Sequence, residues 1–365
     1  LEKILVINLG GTSSKVAIYF DENLYEEKTI RHEKEELADL FTNKEQIDYR
    51  TKMINNWLRK INFDAKELTA IGVRGGNLPS ELSKSGGTYF IDSYLQSLIL
   101  ANYDADGQFY HGVVIGVPIA LNLKSGNEKI GIYVTDPPTV NELEPVAKIA
   151  GHPDFERIPV FHALNQRAVA RRVAKEMNKT YEETRLIVVH LGAGISVGAH
   201  RGGRVIDVNN VTRGDGPMAP NRAGQLPMSQ LIEAVYKGNC TLEEAQLKLR
   251  LGGGVKAYLG TDDMRKVEEM ILSGDEYAKL IWEALVYQVA KEIGSCFTVL
   301  DGKVDAICYT GGMAFSDKLI TALNKKVDKL APIKCYPGEF ENEGLALGAL
   351  RVIRGEEQAV KIEKE

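Results

Sequence analysis

The sequence predicts an α/β protein built from two copies of one domain, each around a mixed sheet. Three observations carry that expectation. The run Ile4-Leu5-Val6-Ile7-Asn8-Leu9-Gly10-Gly11-Thr12-Ser13-Ser14-Lys15 is matched near mid-chain by Leu186-Ile187-Val188-Val189-His190-Leu191-Gly192-Ala193-Gly194-Ile195-Ser196. Each is an apolar stretch, a polar residue, Leu-Gly, a small-residue turn and a second strand-like stretch. A second signal recurs in the same order, Ala70-Ile71-Gly72-Val73-Arg74-Gly75-Gly76 and Ala306-Ile307-Cys308-Tyr309-Thr310-Gly311-Gly312. The two signals lie farther apart in the second half, so the second copy carries an insertion. Finally, strand-like and helical stretches alternate along all 365 residues, a length that suits two domains. Their expected limits are 1–140 with 345–365, and 141–344.

Taken in order, residues 3–20 read as a β-hairpin, with a third strand over 24–31 and a charged helix at Lys34–Phe41. Met53, Ile54, Trp57, Leu58 and Ile61 recur at helical spacing, which predicts a helix over 49–61. Ala70–Val73 reads as a strand ending at a Gly-Gly turn, and 92–102 as a short helix. Val113–Leu121 and Lys129–Thr135 read as strands, the second leaving through Asp136-Pro137-Pro138. Helices are expected at 142–149 and 164–177. After the second hairpin, Asn209–Pro227 has no periodicity and is rich in Gly, Pro, Asn and Arg. Such long loops are uncommon unless functional. Helices follow at 229–236, 241–250, 262–272 and 276–300, and a small-residue helix at 345–352. The charged tail from Gly355 is expected to be solvated or frayed.

Composition narrows the function classes. Hydrophobic content of 44% and charged content of 26% are those of a globular protein. A formal charge of −5 argues against a nucleic-acid partner. No apolar run approaches a membrane span, and no secretory leader precedes the first strand. Cys240, Cys296, Cys308 and Cys335 are widely spaced with no C-x-x-C, which disfavours zinc clusters and fits a reducing cytosol.

The paired turns are the chemically informative feature. Glycine lets backbone approach a ligand closely, and successive N–H groups can point at an anion. The hydroxyls of Thr12, Ser13, Ser14 and Ser196 add donors, and Lys15 adds a charge. No G-x-x-x-x-G-K-S/T string and no helix-opening G-x-G-x-x-G are present, so P-loop and dinucleotide sites are unsupported. One such turn alone is more often an ordinary hairpin. Two matched turns with two matched Gly-Gly signals favour a phosphate clamp. Phosphoryl transfer further needs cations or donors on loops and a carboxylate for a metal. Arg74 at a strand end, Arg222 in the aperiodic loop and His162 at a strand-to-helix junction are the candidates, with Arg213 and Asp215 as competitors. For His190 the backbone is expected to matter more than the ring. A surface arginine, a buried structural histidine and a helix-capping Glu343 are the bland readings of the same residues.

This order of strands and helices is that of the ribonuclease-H-like fold found in actin, Hsp70 and the sugar kinases. The motifs together resemble the acetate/butyrate kinase family, most closely its butyrate kinase branch, over nearly the whole chain. Asn8 to Lys15 is similar to its opening phosphate motif and His190 to Gly194 to its second. Arg213 to Pro217 with Arg222-Ala223-Gly224 is similar to its substrate loop. Thr261 to Arg265 and Thr310-Gly311-Gly312 resemble its nucleotide segments. The resemblance implies reversible transfer of phosphate from ATP to a short-chain carboxylate such as butyrate or isobutyrate, with Mg²⁺. Gly10, Gly11, Thr12, Ser13, Lys15, His190, Gly192, Ala193 and Gly194 would hold phosphates. Asp263, Arg265, Gly311, Gly312, Met313 and Phe315 would hold the adenosine. Asn8 and Glu343 would hold the metal, Arg74 the substrate carboxylate, and Asp136 would orient the site. His162 and Arg222 would stabilise the phosphoryl group in flight. A homodimer or larger homo-oligomer is implied as well.

The acetate-kinase pattern departs at three places. H-N-P-P is absent, Ala193 replaces an asparagine, and R-V-V-H-G-G shortens to Arg74-Gly75-Gly76. These disfavour acetate, and glycine beside the carboxylate anchor leaves room for a longer acyl chain. Two other readings stay open: a sugar or polyol kinase of the same fold, and an actin- or Hsp70-like nucleotide-dependent scaffold. The first needs a general base and a polyhydroxyl pocket, which apolar residues such as Phe161 and Leu78 fit poorly.

Overall fold

The computed structural model describes residues 1–33, 42–75, 84–101 and 115–362. They form two compact units, 1–141 with 340–365, and 142–339. The helix expected at Lys34–Phe41, and Gly76, Leu78 and His111, lie outside the described residues.

The first unit holds a six-stranded sheet, β1 (Lys3–Leu9), β2 (Ser13–Phe20), β3 (Asn23–Arg31), β4 (Ala70–Arg74), β5 (Thr88–Phe90) and β6 (Gly131–Thr135), in the order β3-β2-β1-β4-β6-β5. The second holds a five-stranded sheet, β7 (Arg185–Leu191), β8 (Ile195–Arg201), β9 (Arg204–Val208), β10 (Ala306–Gly311) and β11 (Ile333–Pro337), in the order β11-β10-β7-β8-β9. Read from β9, that order repeats β3-β2-β1-β4-β6 strand for strand. The pairing directions repeat too: β1–β2–β3 and β7–β8–β9 are antiparallel, whereas β1–β4–β6 and β7–β10–β11 are parallel. The duplication is therefore one of topology as well as of motif.

Register places equivalent residues at the carboxyl ends of the parallel strands. Ile7 pairs with Val73, which sets Asn8 beside Arg74, and His190 pairs with Thr310. In α/β sheets that end is where ligands bind. The helix Glu341–Ile353 packs over β1, β4 and β6, and Ala163–Glu176 over β7 and β10. Glycines permit the close approach: a Cβ on Gly348 would lie 2.2 Å from Thr135 Oγ1, and one on Gly198 2.4 Å from Gln166 Oε1.

On the opposite faces the cores are conventional. Asn43–Lys60, started by a Thr42/Glu45 capping box, buries Ile47, Ile54, Trp57 and Leu58. Glu276–Val299 buries Ile281, Trp282, Leu285, Val289 and Ile293 against the second sheet's core. Each such side chain contributes about 1.5–3 kcal/mol on burial.

Three local expectations are corrected. The strand expected over 113–121 is not found in its described part, 115–121; Gly116–Lys124 is a helix with Pro118 in its first turn, where proline is tolerated. Its Val117, Ile119, Ala120 and Leu123 are all buried, and a short apolar run buried on several sides has no periodicity to separate strand from helix. The helix expected over 142–149 shrinks to Pro145–Lys148. The tail does not fray directly after Gly355. Val360 N donates to Thr88 O at 2.8 Å, Arg351 pairs with Glu357 at 2.7 Å, and Val360 and Ile362 pack on the first core. No helix among the described residues is long and apolar enough to cross a membrane.

Candidate active site

Each unit gathers several of its predicted residues at one corner of its sheet, where a hairpin turn, the end of the neighbouring parallel strand and the first turn of a packed helix converge. In the first unit, Asn8 is 2% exposed. Its Nδ2 donates to Glu341 Oε2 at 2.9 Å and Asn342 Oδ1 at 3.2 Å, and its Oδ1 accepts from Arg74 Nη1 at 3.3 Å. Arg74 Nη2 pairs with Glu341 Oε1 at 3.3 Å. The predicted Asn8 and Arg74 are thus adjacent, with Glu341 as a buried carboxylate that motif reasoning missed. Glu343, named from the sequence, lies one residue beyond Asn342 in the same first helical turn.

The hairpin turn above this corner is braced from behind. Arg50 is fully buried; its Nη1 donates to Gly10 O, Ser13 O and Ser14 Oγ at 3.0–3.2 Å, its Nη2 to Gly11 O at 2.8 Å, and its Nε to Gln46 at 3.0 Å. Burial lowers its pKa to about 10, so it stays a cation at neutral pH. One guanidinium gathers the turn's carbonyls, which commits them to the protein interior. Arg50 sits mid-helix, 36–40 residues from its partners, and nothing local in the sequence marks it.

Asp136 is 1% exposed and stands at φ +43°, in the left-handed region that costs a non-glycine residue roughly 1–3 kcal/mol. Its Oδ1 accepts from Gly87 N at 2.7 Å. The space beside Gly75 is already filled: a Cβ there would lie 2.5 Å from Val134 Cγ1 and 3.0 Å from Pro137. Packing within the unit explains that glycine, and the expected room for an acyl chain is not found on that side of it.

The second corner is built around two histidines where the first pairs an arginine with a carboxylate. His190 and His162 stack with ring centroids 3.8 Å apart and planes at 10°. His190 Nδ1 lies 2.9 Å from Asn165 Nδ2, which also donates to Thr310 Oγ1 at 3.0 Å. His162 Nδ1 lies 2.9 Å from Ser196 Oγ, which accepts from Gln166 Nε2 at 2.8 Å. The His190 ring, given little weight from sequence, is as much a part of this corner as its backbone. A Cβ on Gly192 would sit 3.0 Å from His190 Nε2, so a side chain there would crowd the ring edge.

Arg222 reaches the same turn from the long loop. A Cβ on Gly194 would lie 2.0 Å from Arg222 Nη1, so the guanidinium rests against the glycine itself. Arg222 Nε and Nη1 are buried, with no hydrogen-bond partner among the described residues, and burial lowers its pKa. A cation desolvated without a partner is costly and marks a place built for an anion. The loop is held in place by Asn209, which bonds Val197 N and Ile195 O, and by Gln288, which accepts from Met218 N at 2.8 Å. Gly254, at φ +64°, admits Ala219 O, which a Cβ would meet at 1.8 Å.

The remaining predicted residues have local structural accounts. Asp263 caps the helix Met264–Leu272 and pairs with Arg265 through Nε at 2.9 Å and Nη2 at 2.8 Å. The Arg265 bonds hold the Asp263 carboxyl down to about 2. Gly311, at φ +91°, would meet Leu191 O at 2.4 Å with any side chain and exchanges two backbone hydrogen bonds with Gly338. The 3₁₀ turn Gly312–Phe315 follows, with Met313 partly buried and Phe315 70% exposed. No group of three or more His, Cys, Asp or Glu side chains that could cage a metal occurs among the described residues.

Two sheets that repeat five strands in one topology, each with a glycine turn at the carboxyl ends of its parallel strands, place the chain in the actin and sugar-kinase fold class. The family model described as "Acetokinase family" matches residues 157–359. Butyrate kinase 1 of Clostridium acetobutylicum is 42% identical over 357 residues, 98% of each chain. Two solved structures share the fold. An acetate kinase from Porphyromonas gingivalis has a TM-score of 0.78 at 17% identity, covering 97% of this chain and 100% of that one. A propionate kinase from Francisella tularensis has a TM-score of 0.75 at 18% identity, covering 95% and 99%. The chain belongs to the acetokinase family, and it is an ATP-dependent kinase that phosphorylates the carboxyl group of a short-chain fatty acid.

Proposed function

We propose that the acceptor is butyrate or a branched acid such as isobutyrate, that transfer is reversible, and that MgATP is the donor. The observation that carries the assignment of residues is the half-buried Arg222 lying against Gly194, with its Nε and Nη1 atoms buried and unpartnered among the described residues. A planar phosphoryl group presents equatorial oxygens that such donors satisfy, and its charge offsets the desolvation of the cation. His162, stacked beside the same turn, supplies a further donor. Backbone N–H groups of Gly192–Gly194 and Gly10–Ser13, with Thr12 and Lys15, hold the nucleotide phosphates. Asp263, Arg265 and the Gly311–Phe315 turn border the adenosine. Arg74 grips the substrate carboxylate, which is already ionised and needs no general base. Asp136, held at its strained φ, orients the first-unit corner.

Asn8 Oδ1 and the Glu343 carboxylate are hard oxygen donors, and Asn8 is bonded to the residue beside Glu343. They suit Mg²⁺, which takes one or two protein oxygens and completes its shell with phosphate and water. Bound there, the ion would neutralise charge on the β- and γ-phosphates. Exposed Ile232, Tyr236, Leu247 and Leu272, on helices of the second unit, support association with a second copy. Cytoplasmic residence accords with free cysteines and with the absence of a membrane-spanning helix among the described residues.

The test is a hydroxamate assay with ATP, Mg²⁺ and straight and branched acids of two to five carbons. Highest kcat/KM for a four-carbon acid is expected. A preference for acetate would overturn the acceptor assignment, and sugar-dependent ADP release without hydroxamate would overturn the whole reading.

A further inference from the structure

The hydrogen-bond chemistry around the stacked histidines determines which ring can carry charge. Thr310 Oγ1 lies 3.1 Å from Gly338 O, a carbonyl that can only accept, so the single hydroxyl proton of Thr310 points there. Thr310 Oγ1 must then accept from Asn165 at 3.0 Å, which fixes the amide with its NH₂ on that side. The same NH₂ is 2.9 Å from His190 Nδ1 and can only donate to it. His190 Nδ1 is therefore an unprotonated acceptor, and the proton of the neutral ring sits on Nε2, the edge that faces Gly192. The reversed amide would set two oxygens, Thr310 Oγ1 and Gly338 O, 3.1 Å apart with no proton between them. Asn165 and Thr310 are fully buried, so water does not offer a substitute.

His162 faces a different partner. Gln166 Nε2 donates to Ser196 O at 3.2 Å, which fixes that amide; its Oε1 then accepts from His200 Nε2 at 3.0 Å, whose Nδ1 takes the Tyr181 hydroxyl proton at 2.7 Å. Ser196 Oγ accepts one N–H from Gln166 and still holds a proton and a lone pair. It can donate to a neutral His162 Nδ1 or accept from a protonated one. Two imidazolium rings 3.8 Å apart would repel, so one ring of the pair must stay neutral.

We propose that Asn165 is a positioning residue that locks His190 as its neutral Nε2–H tautomer, leaving His162 as the ring of the stacked pair that takes up charge. The charge on His162 serves the developing phosphoryl charge, and that part rests on the proposed function; the tautomer of His190 does not.

The experiment is two-bond ¹H–¹⁵N spectroscopy of the whole enzyme labelled in histidine, with His190 assigned by loss of its peaks in His190→Gln. The expected result near neutral pH is an unprotonated Nδ1 and a protonated Nε2. An Nδ1–H or imidazolium form would overturn the lock. Asn165→Asp replaces the donor with an acceptor and should drive His190 to the imidazolium, with kcat falling about 10–100-fold, the scale of a lost outer-shell partner. KM for both substrates should change little. Thr310→Val, close in shape, removes the acceptor that orients the amide and should give mixed tautomers with a smaller fall in kcat. Mixed tautomers with unchanged kcat would overturn the positioning role. Unchanged turnover in His162→Ala would overturn the charge assigned to His162 and the catalytic reading beneath it, while the spectrum of His190 reads the lock independently.

Discussion

The two sheet corners share a backbone plan and differ in electrostatics. In the first unit the strand-end residue is Asn8, its parallel neighbour Arg74 and the helix-start residues Glu341 and Asn342, so a cation and a buried carboxylate face each other. In the second the corresponding residues are His190, Thr310 and, on the first turn of Ala163–Glu176, Asn165; every one is neutral or made so by its partner. The cation there, Arg222, comes from the inserted loop and has no carboxylate partner among the described residues. Duplication supplied one geometry twice, and side-chain chemistry divided the work. A paired arginine suits exchange of one carboxylate for another at modest electrostatic cost, and an unpaired buried arginine suits a transient concentration of phosphoryl charge.

Four measurements would break or sharpen that contrast. The largest effect is expected for Arg222→Ala: kcat falling by about 10³-fold or more, the scale of a removed transition-state arginine. Because its Nε and Nη1 are buried with no partner among the described residues, loss of the side chain should leave the thermal midpoint unchanged or raise it. A marked drop in midpoint would mean the arginine is structural. Arg74→Ala should behave in the opposite sense. It strands Glu341, so stability should fall by about 1–3 kcal/mol in denaturant titration, with carboxylate KM rising roughly tenfold or more. If Arg74→Lys restored both, the bidentate grip assigned to it would be wrong.

Arg50→Met tests the brace behind the first turn. Loss of its bonds to Gly10, Gly11, Ser13 and Ser14 should raise nucleotide KM about tenfold and cost about 3 kcal/mol, while carboxylate KM stays near its starting value. Equal rises in both KM values would deny it a nucleotide-specific role.

The smallest effect concerns Glu292, on the long helix beside the loop that carries Arg222. Burial first, then the Asp215 and Asp207 carboxylates, raise its pKa to about 7, with Arg157 acting against them. A folded-state pKa above the unfolded value of 4.5 means that the native chain binds the extra proton between those limits. Glu292 therefore costs nothing below about pH 4.5, and its penalty grows to a full value of about 3 kcal/mol as pH rises through 7. Glu292→Gln should stabilise the protein at pH 8 and not at pH 4.5, as read by urea midpoints at the two values. A gain of the same size at both would remove titration as the cause.

Legibility from sequence followed the range of the interactions. Both hairpin turns, the strands that carry them and most helices of the second unit were readable, because strand alternation and helical spacing are written within a few residues. The segment 115–121 was misread because a short apolar run buried on several sides carries no period. The catalytic candidates were nameable from their places: Arg74 on a duplicated signal, Arg222 in an aperiodic loop and His162 at the start of a helix. Arg50, Glu341 and Asn165 were not, since each sits in an ordinary amphipathic helix and owes its role to a partner well away along the chain. The glycine after Arg74 invited a reading about substrate size, and the contact with Val134 and Pro137 replaced it with one about packing.

By itself the sequence determined that the chain is a duplicated α/β protein with paired phosphate-turn motifs, and it pointed to a family. These depend on backbone preferences and residue order, which act locally. Only the tertiary structure decided that Arg74 meets a carboxylate while two buried nitrogens of Arg222 meet no partner among the described residues, that Arg50 holds the first turn from behind, and that an asparagine amide lies against Nδ1 of His190. Those are matters of burial and hydrogen-bond direction, and both arise only when segments far apart in the chain are packed out of water.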